Sequence, residues 1–421
     1  MRTEQLVGEL VPVVLVWGWT HIIMSCGFFA YVHAHDSPFH QEFDACVSAT
    51  LEEWRIPGLS VAVVDKDGII HSKAYGYSHL YPPVAADTST LYYLGSLTKS
   101  LTAALTAIVI DETPSISWDT PLSKLLPDVF ITQDDHITPL ITIESLLSHS
   151  SGLPSHESYY LDREINPFLP HHLVQEIRHW PLHHRPGQVF QYCNAGYVAV
   201  TLALERLTGS SYVEILDSKL FRPLGMKSSY ASLQAAGCDL SSCVRGASSQ
   251  HAETGLLARG YRWLFGQLLP VRWVNEPAVS GAGAIIATAS DYARFVRSMM
   301  FRADPISPSG HLKLTAPRIT VSESAWAPWD SHSLVKYALG WVVTRYRNET
   351  VYSHVGSING FSSVVLFTSG HSAVGVVIFS NNQQGRNGLR CLSFRLFEEI
   401  SGIAQEGYAT YEPKEHEEFC I

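Results

Sequence analysis

Charge is scarce in this chain. Only 16% of its 421 residues are Asp, Glu, Lys or Arg, against roughly 25% in ordinary soluble domains. What charge there is leans acidic, with a net value of −10. No block of Lys or Arg stands out. Both facts argue against a nucleic-acid partner, whose phosphates are held mainly by basic side chains. Cysteine lacks a pattern. The seven residues Cys26, Cys46, Cys193, Cys238, Cys243, Cys391 and Cys420 contain no CxxC or zinc-finger spacing. Neither a disulfide framework nor a structural zinc is signalled. Cys238 and Cys243 are near enough to pair, though a reduced state fits equally well. No His-Glu-x-x-His occurs, although His149, His156, His171, His172, His179, His183 and His184 crowd one region. They read as solvated or loop-bracing side chains, with His149 bracing a helical lobe, and no metal is expected. Gly281-Ala-Gly283 lacks the third glycine of a nucleotide loop and reads as a cleft wall. Internal repeats and low-complexity tracts are missing, and no cofactor is called for.

Apolar residues are plentiful at 46%, enough for a large core. From Leu10 to Val32 there are 23 residues without Asp, Glu, Lys or Arg, which reaches the length of a membrane-spanning helix. We read residues 10–32 as a membrane anchor or uncleaved signal. A cleaved signal, or an atypical extension on an intracellular enzyme, is the alternative. Residues 1–41 then form this apolar segment and a linker, 42–401 the main domain, and 402–421 a tail. Asn348-Glu-Thr350 is a glycosylation sequon compatible with a lumenal location.

The pattern along the domain is strands, a long helical middle, then strands. Gly58–Val64 reads as a buried strand. Asp65-Lys-Asp-Gly68 is a hairpin turn, and residues 68–77 return as a second strand. Near the other end, residues 337–344, 350–354, 361–368 and 373–380 read as strands. Helices are expected over residues 194–207, from near Ser290, and over about 388–400. This predicts an α+β fold, its antiparallel sheet built from both chain ends and flanked by helices. A mostly helical lobe, about residues 112–275, is inserted, and the cleft between is the natural site.

Within that frame, Ser96-Leu-Thr-Lys99 opens an apolar helix. Residues three apart share one helix face, so the amine can activate the hydroxyl as a nucleophile. The spacing alone is common, and Ser333-Leu-Val-Lys336 repeats it. Tyr192-Cys-Asn194 stands just before a helix, where a phenol can relay protons. His354-Val-Gly356 stands at a predicted strand end, where glycine permits close approach and the Ser357 N–H can join that of Ser96 in an oxyanion hole. Tyr346-Arg-Asn348 and Lys66-Asp-Gly68 mimic these two patterns. However, Ser333, Tyr346 and His354 crowd neighbouring strands, whereas Ser96, Tyr192 and His354 come from three separate elements that can converge.

These three motifs, in this order, resemble those of the serine β-lactamases and penicillin-binding proteins. The match is to the class C, D-aminopeptidase and esterase branch, with wording most like fungal members. Longer phrases carry it too: Ile56-Pro-Gly-Leu-Ser-Val-Ala-Val-Val64, Leu146-Leu-Ser-His-Ser-Ser-Gly-Leu153, Pro223-Leu-Gly-Met226, Ser280-Gly-Ala-Gly-Ala-Ile-Ile-Ala-Thr288 and Gly340-Trp341. The resemblance runs from about Phe43 to Ile400 and implies a β-lactamase/transpeptidase-like fold. It implies that Ser96 is acylated, that Lys99 takes its proton, and that Tyr192 relays protons and activates the second nucleophile. Asn194 becomes a polar wall, and His354 takes the place of a lysine that helps bind a lactam carboxylate. The expected activity is therefore hydrolysis of a small ester or amide rather than strong lactam cleavage. Acyl transfer to a small acceptor in a secondary-metabolite pathway is the alternative, and a silent membrane-tethered binding protein the rival of another class. For Lys99 to serve as base, a pKa near 10.4 must fall by about three units, which costs roughly 4 kcal/mol. Burial and a helix N-terminus both work in that direction.

Overall fold

The computed structural model describes residues 37–156, 169–237, 256–273, 279–321, 334–346, 349–370 and 373–402. Asn348, the Cys238 and Cys243 pair and residues 10–32 lie outside them. The expectation of a membrane-anchored or secreted protein is corrected here. Among the described residues, no helix is long and apolar enough to cross a membrane, so the membrane reading is not carried forward.

One nine-stranded antiparallel sheet organises the domain. Its strands in chain order are β1 (Gly58–Val64), β2 (Ile70–Leu80), β3 (Pro83–Ala85), β4 (Ile319–Thr320), β5 (Lys336–Tyr337), β6 (Val342–Tyr346), β7 (Glu349–Ile358), β8 (Phe361–Phe367) and β9 (Gly375–Ser380). In space they run β3-β2-β1-β9-β8-β7-β6-β5-β4. The two chain ends meet where β1 pairs with β9, Leu59 opposite Ser380 and Val64 opposite Gly375.

Side chains alternate between the faces of a strand, and here both faces are covered. Leu59, Val61 and Val63 of β1, Val364 and Leu366 of β8, and Val376 and Ile378 of β9 pack on one side. Their partners are two helices, α1 (Gln41–Glu53) through Phe43 and Val47, and the C-terminal Arg386–Ser401 through Leu389, Leu392, Leu396 and Phe397. The intervening residues Ala62, Val64, Val365, Phe367, Val377 and Phe379 face the other way, into the larger core. Because both faces are buried, these strands read as continuous apolar runs rather than alternating ones.

The larger core is built on α2 (Thr98–Glu112), buried from Thr98 to Val109. A helix buried all round must satisfy its own polar groups. Ser100 Oγ donates to Leu97 O at 2.8 Å and bonds Tyr292 OH at 2.7 Å, while Thr102 Oγ1 donates to Gly281 O at 2.7 Å. Against α2 lie α3 (Asn194–Thr208) and α4 (Ala289–Phe301). Gly209 ends α3 in the left-handed conformation, and Thr288 caps α4 by accepting the Asp291 N–H. These follow the expected stop and start signals. The stretch 337–344, read as one strand, is instead two. Between β5 and β6 the chain turns at Ala338–Trp341, with Gly340 at φ 78° and so close to α2 that a side chain there would strike Ser100.

Candidate active site

Ser96 lies on a single 3₁₀ turn, Gly95–Leu97, that feeds into α2. It is the one residue between Leu91 and Ser100 that is not fully buried. Gly95 adopts φ 53°, and a Cβ there would come within 2.7 Å of Ser357 N. Glycine is therefore needed both for the turn and for the approach of β7.

Three side chains meet at this turn. Lys99 Nζ lies 3.2 Å from Ser96 Oγ, one helical step away. Tyr192 OH lies 2.7 Å from the same oxygen, reaching it from just before α3. Lys99 is fully buried. Its amine also donates to Ala282 O at 2.8 Å and sits over the rings of Tyr192 (4.7 Å) and Tyr197 (5.4 Å). The Ala282 carbonyl comes from the small-residue turn Ser280–Gly283, wedged so tightly that a Cβ on Gly281 would strike Thr201 of α3. Burial raises the cost of the ammonium form of Lys99, while ring faces and a carbonyl lower it.

Asn194 is the first residue of α3, half-buried and two residues beyond Tyr192. His354 is not at a strand end, as its motif suggested, but inside β7, which runs on to Ile358. The extension persists because β8 continues to pair, Gly356 with Ser363 and Ser357 with Ser362. On the other side β6 stops at Val342 opposite Ser353. The last five residues of β7 thus present a free edge to the Ser96 turn as far as β6 is concerned. A Cβ on Gly356 would lie 2.1 Å from Leu94 O and 3.1 Å from Ser96 N. Ser363 Oγ fastens this contact by donating to Leu94 O at 2.7 Å.

The His354 ring is fully occupied. Nδ1–H donates to Val355 O at 2.7 Å, and Nε2 accepts from Tyr337 OH at 2.9 Å. Burial, aided by the nearby Lys99 amine, pushes its pKa down to about 3. The ring is therefore neutral at any ordinary pH. Burial moves the phenols of Tyr197 and Tyr337 well up. Tyr197 and Tyr337 were not singled out from the sequence. No local pattern marks them, since Tyr337 is the second residue of the two-residue β5 and Tyr197 sits among the apolar residues of α3. The histidine-rich stretch does not join the site apart from His149. Among the described residues no cluster of three or more His, Cys, Asp or Glu could hold a metal. Trp341 is buried against Phe295 and Phe367.

A serine-bearing turn between an antiparallel sheet and a helical layer, with lysine and tyrosine on the serine, matches the β-lactamase/transpeptidase-like class. The chain belongs to the Beta-lactamase family, whose model matches residues 43–394. It is 35% identical over 78% of its length to unguisins hydrolase ungD' of Aspergillus campestris, and 28% identical over 88% to unguisins hydrolase ungD of Aspergillus violaceofuscus. It spans 59% and 66% of those two longer proteins. Among solved structures, the octameric penicillin-binding protein homologue from Pyrococcus abyssi superposes with a TM-score of 0.72 at 21% identity, over 86% of this chain and 77% of that one. The D-amino acid amidase of Ochrobactrum anthropi SV3 gives 0.68 at 18% identity, over 86% and 99%. These two likenesses concern the fold.

Proposed function

We propose that this chain is a serine hydrolase that works through an acyl-Ser96 intermediate on a neutral ester or amide. The observation that carries the reading is the double approach to Ser96 Oγ, by Lys99 Nζ at 3.2 Å and Tyr192 OH at 2.7 Å, at the one accessible point of a buried segment. The same distances serve transfer in the other direction. A neutral Lys99 takes the Ser96 proton as Oγ bonds to the substrate carbonyl carbon. The oxyanion that forms is met by backbone N–H groups of Ser96 and Ser357, which the Gly356 contact holds close. As the C–N or C–O bond breaks, Tyr192 passes a proton to the leaving amine or alcohol. It then takes one from the incoming water, whose oxygen bonds to the acyl carbon; as the bond to Ser96 Oγ breaks, Lys99 returns its proton to that oxygen, which releases the acid and restores Ser96. Asn194 lines the polar wall of the cleft.

His354 supports the choice of substrate. A lysine here would offer a fixed positive charge, whereas a neutral ring with both nitrogens engaged offers none. That favours acyl groups without a free carboxylate beside the scissile bond. An uncharged ester or amide meets this condition, in keeping with the relatives named as hydrolases. The test is intact-mass detection of an acyl-enzyme across esters, thioesters, peptides and β-lactams, with and without an acceptor alcohol. Ser96→Ala is expected to remove the adduct and Lys99→Ala most of the turnover. Wild-type turnover in Ser96→Ala would sink the mechanism, and ester products formed with the alcohol would identify acyl transfer.

A further inference from the structure

His149 is a buried residue that this mechanism does not use. It sits in a tight turn after the short helix Ile143–Leu147, with φ 57°. That left-handed backbone is uncommon outside glycine and persists only where the surroundings hold it. Here they do. The segment leading to Tyr192 runs alongside the turn: Ser150 O accepts the Gly187 N–H at 2.7 Å and Gly152 O the His183 N–H at 3.1 Å. His149 itself makes two more such bonds. Its carbonyl accepts the Gln191 N–H at 2.7 Å, and its Nδ1 accepts the Cys193 N–H at 3.0 Å. The two bonds bracket residue 192. The imidazole also lies against the Tyr192 ring, with centroids 4.1 Å apart and planes tilted by 34°.

The tautomer follows from these contacts. Because Nδ1 accepts, the single ring proton is on Nε2. Nε2 is buried and meets no hydrogen-bond partner among the described residues. An orphaned buried donor is destabilising. Burial, together with the Lys99 amine and His354 nearby, holds this imidazole well below its usual range. Nδ1 thus stays free to accept.

We infer that His149 is a positioning residue for Tyr192, holding the phenol on Ser96 by clamping the backbone on both sides of it and the face of its ring. The inference rests on the proposed role of Tyr192 as proton relay. It assigns a function within the reaction to a residue that sequence alone marks as a brace.

The experiment is a double-mutant cycle with p-nitrophenyl acetate as probe, and intact mass to follow the acyl-enzyme. His149→Phe fills the space without an acceptor. His149→Asn keeps an acceptor and tolerates the left-handed backbone. Each is measured alone and with Tyr192→Phe. His149→Phe is expected to lower kcat about 10- to 100-fold with KM within about three-fold, and His149→Asn to recover most of that loss. In the Tyr192→Phe background the same change is expected to cost less than about three-fold, since the group it positions is already gone. His149→Ala replaces His149→Phe in the cycle if the latter does not fold. The assignment is overturned by a full further loss in the Tyr192→Phe background, or by His149→Asn performing no better than His149→Phe. Wild-type kcat in both variants overturns it as well. A wild-type protein that is never acylated at Ser96 is a separate result, and it removes the hydrolase reading together with this inference.

Discussion

Replacing Gly356 by alanine tests the oxyanion wall with one methyl group. The new Cβ would lie 2.1 Å from Leu94 O, 2.3 Å from Ser363 Oγ and 3.1 Å from Ser96 N. Real Cβ atoms stay at least 3.0 Å from such neighbours, so β7 and the Ser96 turn must separate by roughly 1 Å, a displacement that can lower catalysis about 100-fold. Neither partner yields easily. The Ser96 turn is continuous with buried α2, and β7 is held by its ladder to β8. Rotation of Ser363 relieves one contact but breaks its bond to Leu94 O, and the backbone contact remains. Overpacking of this kind costs about 1–3 kcal/mol of stability. The expected result is a folded protein with a lowered melting temperature and kcat/KM reduced about 100-fold on an activated ester. Mass spectrometry would show slower acylation at Ser96. A Gly356→Ala protein with unchanged kcat/KM and acylation rate would mean that the contact between β7 and Ser96 does not build the reacting geometry.

Three further outcomes are expected. Tyr192→Phe removes the phenol 2.7 Å from Ser96 Oγ and should lower kcat about 100- to 10,000-fold with little change in KM; a loss confined to KM would contradict a relay role. The buried His354 should shape acid stability. Its folded pKa of about 3 lies below the ordinary value of 6.5, so between these values the unfolded chain takes up a proton that the folded one does not. Stability therefore falls as pH drops through that window, by up to about 1.4 kcal/mol per pH unit for this group, and urea unfolding of His354→Gln between pH 4 and 6 should show a shallower slope. An unchanged slope would remove His354 from that dependence. Thr288→Ala, which deletes the cap of α4, should cost about 1 kcal/mol in thermal or urea unfolding while leaving kcat unaltered.

Local chemistry decided what could be read beforehand. Gly58–Val64 is a run of apolar residues ending at an Asp-Gly turn, and it forms β1 over those residues. Asn194–Thr208 stops at Gly209 because only a residue at ease with positive φ continues the chain there. Non-local pairing decided the rest. Gly356-Ser357 gives a strand little local support, yet Ser362 and Ser363 of β8 hold it in one. Gly340 turns the chain inside an apolar run, at a point where α2, remote in sequence, lies against it. The motif serines, lysine and tyrosine were legible as residue types in sensible contexts. The carbonyl of Ala282 on Lys99, the Tyr337 hydroxyl on His354 and the imidazole of His149 on the Cys193 N–H were not. Each joins residues 17 to 183 positions apart. The membrane expectation came from composition near the N-terminus, and no described helix of the structure sustains it.

The pairing of β1 with β9 also bears on how the molecule is made. Ser96 and Lys99 are synthesised before any strand of the wall they face. Their wall cannot follow until β7 and β8 are synthesised, and β8 must in turn find β9, which locks onto β1 across more than 300 residues. Closing so long a loop is slow and delays the non-local sheet. A nascent chain that has not yet reached Ser380 therefore carries Ser96 and Lys99 without the strand that completes their pocket. Reactivity should switch on with the last strand rather than grow as the chain lengthens.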